Sequence, residues 1–449
     1  MDPVRIAELV IKYARDRGVD EVEAYVAWSD GCTVSITRSG LESIVSGYDI
    51  AVGVRVVKGK RISIAGAHIS AEEDVRRIVE KAISTLRACP VDEKWVSLAR
   101  EVGYSQVADI VDSSIAESPT DVAVEISSKL FELPRSLDPK AQLVEGLVGC
   151  GHGGKVIASS YTSKPLEMKK TGIEAWFAVR VSTDRGEGTV SDFVAATKLS
   201  DVNVDKLVAR NVEWARQCAG ASPIETGSYD IVLAPKVFGS ILNVLISPAV
   251  SALNVQRGRS PLRDKLGQQV LSDKLTIVDD GSAPGLVGTA PFDDEGVPTS
   301  RKTVFSKGVL STYLYDSYTA YAEGKKPTGN AVRSGVASPP APGVTNMLVI
   351  PGSGTIDDLV KDVKRGILVI NVIGEWLSNF VSGFLNFTVS AGLLIENGRV
   401  SKPVTGVVVS GNIYELLKDK LVALGSDVEN LGNVYAPSAL ISGASVAGK

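Results

Sequence analysis

The residues best equipped for chemistry in this chain gather between Phe292 and Ser334. Asp293, Asp294 and Glu295 stand in a row, closed by Gly296 and Pro298, and Thr328, Gly329 and Asn330 form a Gly/Asn loop with Arg333 just behind. Carboxylates are hard oxygen ligands that suit Ca²⁺ or Mg²⁺, and Asp279-Asp280 could join the three. The spacing is not that of an EF-hand loop, and a pair of acidic turns accounts for the same residues. A carboxylate dyad of the aspartic-protease kind is not indicated, because no duplicated D-T-G or D-S-G motif is present. Asn330 offers a donor and an acceptor at once, which suits a peptide backbone, and Gly329 can take a positive φ or permit close backbone approach. A loop turn that satisfies its own polar groups remains the other reading of these residues.

Other chemistry is excluded more firmly. Gly149 to Val156 nearly spells a phosphate-binding loop, but Val156 stands where a hydroxyl must hold Mg²⁺ and the following residues read as strand. A glycine-rich hairpin is expected there instead. The two histidines are His68 and His152, and the last cysteine is Cys218, so no N/S zinc site can be built from residue 219 onward. No metal ligand set and no cofactor is expected in this chain. Cys32, Cys89, Cys150 and Cys218 form no C-x-x-C pair and suit a reducing compartment. With no basic-then-apolar leader at the N-terminus, a cytoplasmic location is expected. The net charge of −4 and the lack of a Lys/Arg-rich run argue against a nucleic-acid partner. The uncharged stretch Val237 to Gln256 holds Asn243, Pro248 and Asn254, which fits a buried core segment and not a membrane span.

These residues must be positioned by 449 residues of ordinary globular composition, 44% hydrophobic and 22% charged, enough for two or three domains. Val4 to Arg17 has a helical apolar stripe that stops at Gly18, and Ala71 to Cys89 repeats the pattern before Pro90. Between them the period changes to two, giving strands over 22–28, 32–38, 42–48, 50–57 and 61–67, with Lys58-Gly59-Lys60 as a hairpin turn. Helical signals at 119–132 and 203–219 bracket strands at 142–149, 155–161 and 171–182. Ala219 to Gly227 is the best boundary, which divides the chain into an N-terminal α+β domain, 1–220, and a strand-rich α+β domain, 225–449. Hairpin-rich strands with few helices imply α+β and not a parallel array. Ser334 to Gly343 is expected as an exposed Pro-rich loop.

The C-terminal motifs resemble the TldD/PmbA family, once called modulators of DNA gyrase and regarded as peptidases of unfolded chains. The family's D-[DE]-E-G-[VT]-P block is matched by Asp293 to Pro298, its next block by Lys307 to Ala320, and its T-G-N-a-x-R block by Thr328 to Arg333. Ala391 to Val400, Pro403-Val404 and Ser410 to Asn412 resemble a further block. TldD-like subunits carry an H-E-x-x-x-H metal helix; TldE/PmbA-like subunits lack it. Here Ile246 and Ser251 stand where the two histidines would be, Ser247 replaces the glutamate, and Pro248 should break the helix. Gly383 falls where TldD-like chains place a ligand-bearing strand.

The resemblance implies a TldE/PmbA-like subunit without its own metal, which would build a peptidase for unfolded peptide together with a zinc-carrying TldD-like partner. It points to Asp293, Asp294, Glu295, Thr328, Gly329, Asn330 and Arg333 as a peptide groove, with Asn330 near solvent. Two alternatives stand beside it: a self-sufficient peptidase of other chemistry, and a homodimeric peptide-binding or scaffold protein.

Overall fold

Alternating apolar and polar residues build one antiparallel sheet in the first half of the chain. In the computed structural model, which describes Met1–Lys449, its strands are β1 (Glu21–Thr37), β2 (Gly40–Lys58), β3 (Arg61–His68), β4 (Ala141–Ser159), β5 (Leu166–Thr183) and β6 (Gly186–Ala196), in the order β3-β2-β1-β4-β5-β6. Residues alternate between faces along a strand, and cross-strand partners share a face. One face carries the core. Val22, Ala24 and Val26 pack with the apolar residues of α1 (Pro3–Arg15) and α2 (Glu72–Thr85). Cys32, Val34, Cys150 and Phe177 pack with α3 (Ser113–Glu117), α4 (Pro119–Leu137) and α5 (Val204–Gln217). The helices start where the sequence supplies caps: Asp2 accepts the Val4 N–H ahead of Pro3, and Asn203 accepts the Lys206 N–H.

The expected strand breaks at 29–31 and at Asp49 are absent, as is the glycine-rich hairpin expected at Gly149–Val156; β1, β2 and β4 run straight through. In register, Gly47 faces Gly31, Gly31 faces Gly151, and Gly151 faces Gly172, so four glycines line up across four strands. The sheet bends so sharply there that a Cβ on Gly31 would stand 2.8 Å from the Cys150 carbonyl oxygen, and one on Gly151 2.6 Å from that of Asp30. Glycine bends these strands and does not end them. The turn at Lys58-Gly59-Lys60 forms as expected, with Gly59 at φ 55° and Lys60 at 59°.

In the second half, strands 365–373, 227–233, 439–447, 407–412 and 384–396 pair in that order, and the last pairs back with the first. The sheet therefore closes into a small barrel. Ile231, Leu233, Val369, Leu385 and Phe387 share its apolar core with Phe238, Ile241 and Leu245 of α6 (Pro235–Leu245). Val232, Leu368, Ile370 and Leu393 of the barrel strands belong instead to the cluster built by α4 and α5, so one core runs through both halves. A third sheet, with strands 309–310, 301–306, 277–280, 347–349, 434–436 and 429–431 in that order, carries the loops between Phe292 and Ser334. The protein is α+β. No helix is long and apolar enough to cross a membrane: α6 ends at Leu245, and Pro248 sits in the turns before a short helix at Ala252–Gln256.

The Pro-rich loop 334–343 is less free than expected, because it lies across β2 and β3. A Cβ added at Gly53 would stand 2.0 Å from the Val336 carbonyl oxygen, and one at Gly66 would stand 2.9 Å from the Ala337 nitrogen. Gly53→Ala should therefore lower the urea unfolding free energy by about 1–3 kcal/mol, as overpacking does. Equilibrium denaturation of the purified chain checks this, and an unchanged midpoint would mean that the loop is not seated on β2.

Candidate functional site

The acidic run and the loop after it fold into a buried clamp between the third sheet and the first. Arg55 of β2 donates to Glu23 of β1 at 2.6 Å and to Glu295 at 2.8 Å, and Arg333 closes the other side of Glu23 through its Oε1. None of these four side chains is more than 4% exposed. Glu295 also accepts the Ser317 N–H at 2.8 Å and the Ser317 hydroxyl at 2.7 Å. Burial pushes its pKa up, but Arg55 and Ser317 more than offset this and hold it below the usual carboxylate value. Asp294 accepts from Lys155 of β4 at 2.6 Å and from the Arg333 N–H at 2.8 Å. The Arg333 guanidinium lies over the Tyr25 ring, 5.1 Å from its centroid.

Asp293 faces inward and shapes its own loop. One of its oxygens accepts the N–H groups of Glu295 and Val297 at 2.9 and 3.0 Å, and the other accepts that of Ala331 at 2.9 Å. Burial and the charge of Glu295 nevertheless push its carboxyl up to about 7.

The expectation that Asn330 lies near solvent is not met: it is fully buried. Its amide donates to Asp279 at 2.7 Å and to the Gly343 carbonyl at 2.9 Å, and its oxygen is 2.8 Å from the Thr328 hydroxyl. Gly329 has φ 71°, and a Cβ there would stand 2.4 Å from the Pro298 carbonyl oxygen. The sequence pattern thus finds residues that do come together, but as a polar core and not as an open groove. Asp279 is bonded to Asn330 and Thr345, while Asp280 pairs with Arg301 at 3.1 Å. Nowhere do three or more His, Cys, Asp or Glu side chains converge as a metal site.

The segment aligned with a metal helix is built differently. Ile246 caps the end of α6 and is fully buried, and the Ser247 hydroxyl is buried without a hydrogen-bond partner. An alkyl group and hydroxyls cannot replace imidazoles, so a zinc ion does not fit the residues present. Gly383, at φ 72°, lies against the Tyr414 ring, where a Cβ would be 2.8 Å from Cδ2. Ser382, Asn412 and Tyr414 border a depression of about 460 Å³ with Lys265 and Gln268.

The accessible concavity lies elsewhere, on the helix-free face of the first sheet. The glycine row forms the floor of a trough of about 600 Å³, flanked by Ser29, Thr33, Val45, Asp49 and Glu174. Four residues along the strands, Leu147 faces Trp176 and Trp176 faces Phe193, with Leu147 47% and Trp176 38% exposed. Trp176 and Phe193 border a cleft with Val372 and Glu375, where the sheet meets the barrel. The adjoining loop presents Trp376 at 61% and Leu377 at 71% exposure. Sequence reasoning missed this surface. Its available signal was the alternation of Gly149, Gly151 and Gly153 at strand period.

Residues 226–448 match the family described as the PmbA/TldA metallopeptidase C-terminal domain, and residues 22–86 match PmbA/TldA metallopeptidase domain 1. The chain belongs to the PmbA/TldD family. It is 28% identical to an uncharacterized protein of Methanocaldococcus jannaschii over 97% of this chain and 98% of that one. It is 24% identical to the metalloprotease PmbA of Escherichia coli O157:H7 over 96% and 93% of the two chains. The crystal structure of TldE from Thermococcus kodakarensis has the same fold, with a TM-score of 0.90, 22% identity and 99% of both chains covered. The acidic and T-G-N blocks on which the sequence resemblance rests fold into the clamp described above.

Removing the amide of Asn330 would leave the Gly343 carbonyl and one contact of the buried Asp279 carboxylate without a donor. Asn330→Ala should therefore cost about 1–3 kcal/mol of folding stability, measured by denaturant titration. A variant as stable as the parent would show that water replaces the amide. Asp293 makes a pH prediction. A carboxyl with a folded pKa near 7 and an unfolded value of about 3.9 holds its proton better when folded. Its stabilising contribution is full below the unfolded value and is lost as pH rises through 7. Asp293→Asn, which cannot ionise, should gain stability relative to the parent between acid and neutral pH. A pH-independent difference would show that folding does not shift the Asp293 carboxyl from its unfolded value.

Proposed function

We propose that this chain is the non-metal, TldE/PmbA-like subunit of a TldD/TldE-type peptidase complex acting on unfolded peptide. The observation that carries this reading is the absence of a usable ligand set at Ile246, Ser247 and Ser251, within a fold that matches TldE from end to end. Zinc would belong to a TldD-like partner, where a metal ion supplies an activated water for amide hydrolysis. This chain's own contribution would be positioning. The helix-free face offers a glycine floor against which an extended backbone can lie closely, and a shoulder of Leu147, Trp176 and Trp376 for apolar side chains. Unfolded chains expose such side chains, whereas folded proteins bury them.

The peptide-contact role first attached to Asn330 moves in this proposal to the open face, and the clamp becomes the frame that holds it. Alone, the purified chain should leave casein intact. With a TldD-like relative from the same source it should support cleavage that a chelator abolishes. Trp176→Ala should reduce turnover by the reconstituted complex about tenfold while leaving the melting temperature near that of the parent, since a half-exposed aromatic contributes more to contact than to the core. Chelator-resistant cleavage by this chain alone would overturn the reading.

A further inference from the structure

The cleft beyond β6, where the first sheet meets the barrel, holds about 210 Å³. That is below the roughly 300–1,000 Å³ of pockets that take a whole small molecule, so it suits one side chain. Most of its polar wall is matched. Asp192 and Glu429 hold Arg210 and Lys236, with Arg210 2.8 Å from Asp192 and Lys236 3.3 Å from Glu429. Asn371 accepts the Ser191 N–H and donates to the Ser191 carbonyl, both at 2.9 Å. Arg210 Nε lacks an acceptor, but its guanidinium already pairs with two carboxylates and lies over the Trp214 ring. Glu375 is the exception. Gly374, at φ 86°, follows the strand 365–373 and opens the short turn Glu375–Leu377, from which the Glu375 side chain meets α6. One Glu375 oxygen accepts the Ser240 hydroxyl at 2.9 Å, and the other is buried with no donor. The cleft thus sets two cations, Arg210 and Lys236, against three carboxylates, Asp192, Glu429 and Glu375, and the charge left over sits on Glu375.

We propose that this cleft receives a lysine side chain of a bound peptide, with its ammonium on Glu375 and its methylene stem against Trp176 and Phe193. The inference rests on the reading of this chain as a peptide-holding subunit and adds to it a side-chain preference. Trp176 belongs both to the shoulder beside the glycine floor and to the cleft wall, so a peptide lying along the shoulder has the cleft beside it. Lysine buries its stem on apolar surface while its charge seeks a polar partner, and an ammonium near an aromatic face is stabilised further. The terminal torsion of a glutamate is broad and roughly two-fold, so a turn about it presents the unpartnered oxygen to the cleft. Ser240 occupies the other oxygen, which favours the point charge of an ammonium over the two-pronged guanidinium of arginine. A metal ion needs several oxygens, and those of Asp192 and Glu429 are committed to Arg210 and Lys236.

Two labelled unfolded peptides test this, identical but for one residue: lysine in the first, and in the second norleucine, which has the same stem without the charge. By fluorescence anisotropy the purified full chain should bind the lysine peptide about tenfold more tightly, the worth of one charge-assisted hydrogen bond. Glu375→Gln keeps an acceptor for Ser240 but loses the charge. It should bind the lysine peptide about tenfold more weakly than the parent does and the norleucine peptide equally well. A melting temperature of Glu375→Gln near that of the parent places the loss in binding and not in folding. Equal binding of the two peptides by the parent, or a lysine preference that survives in Glu375→Gln, overturns the inference and leaves the subunit reading standing. Failure of the parent to bind either peptide also overturns it, and chelator-sensitive cleavage of casein by the reconstituted complex then decides the subunit reading by itself.

Discussion

Glu23 sits between two arginines, and one of them reaches on to Glu295. Four charges with almost no contact with water hold the loops of the third sheet against the first. Burying such a group is costly unless every charge is matched, and removing one member leaves its neighbours uncompensated at a cost of about 3–5 kcal/mol. The network is therefore a poor source of net stability and a strong source of specificity. Only one seating of the 292–334 loops on β1 and β2 satisfies it. The seating is reinforced by Lys155 on Asp294 and by the approach of Val336 to Gly53, each of which needs a particular small or charged residue on the sheet.

The clamp also decides which part of the helix-free face is usable. Glu23, Tyr25, Gly53 and Arg55 lie at one end of that face and are covered by the C-terminal loops. The other end, around Gly31, Gly47, Gly151 and Gly172, has no such cover. The covered end is polar and closed, while the open end is a bare backbone floor with an apolar shoulder. A single sheet face thus does two jobs because the long strands of β1, β2 and β4 extend past the clamp. That extension depends on glycine, since the bend at Gly31 and Gly151 brings neighbouring backbones too close for any side chain.

Much of this was legible in the sequence. The helices at both ends of the N-terminal half, the turn at Gly59, the α+β class and the interruption at Pro248 follow from periodicity, capping and proline chemistry. The gathering of Asp293, Glu295, Asn330 and Arg333 into one neighbourhood was legible too, because family motifs mark shared structure. Their burial was not. A loop rich in Gly, Asn and Asp ordinarily faces water, and only the tertiary partners Glu23, Arg55 and Asp279, distant in sequence, turn this one inward. The long strands were misread for a related reason. Glycine usually punctuates, and its use here as a row across four strands appears only when the register is known.

The same row ties the fold to the proposed activity. A peptide can lie flat against a sheet only where side chains do not hold it away, and a sheet can curve around it only where neighbouring backbones can close up. Glycine at Gly31 and Gly151 meets the second need, and at Gly47 and Gly172, where the space above is open, it meets the first. The segment that ends α6 has no metal ligands to hold, and it is packed as ordinary core around Ile246. The chain's other parts shape a surface: a charged clamp that fixes the frame, a curved floor, and an edge of β2 without a strand partner before Ile50. In the proposed reading, those parts belong to a subunit that holds and orients peptide, with the bond-breaking chemistry supplied by a partner.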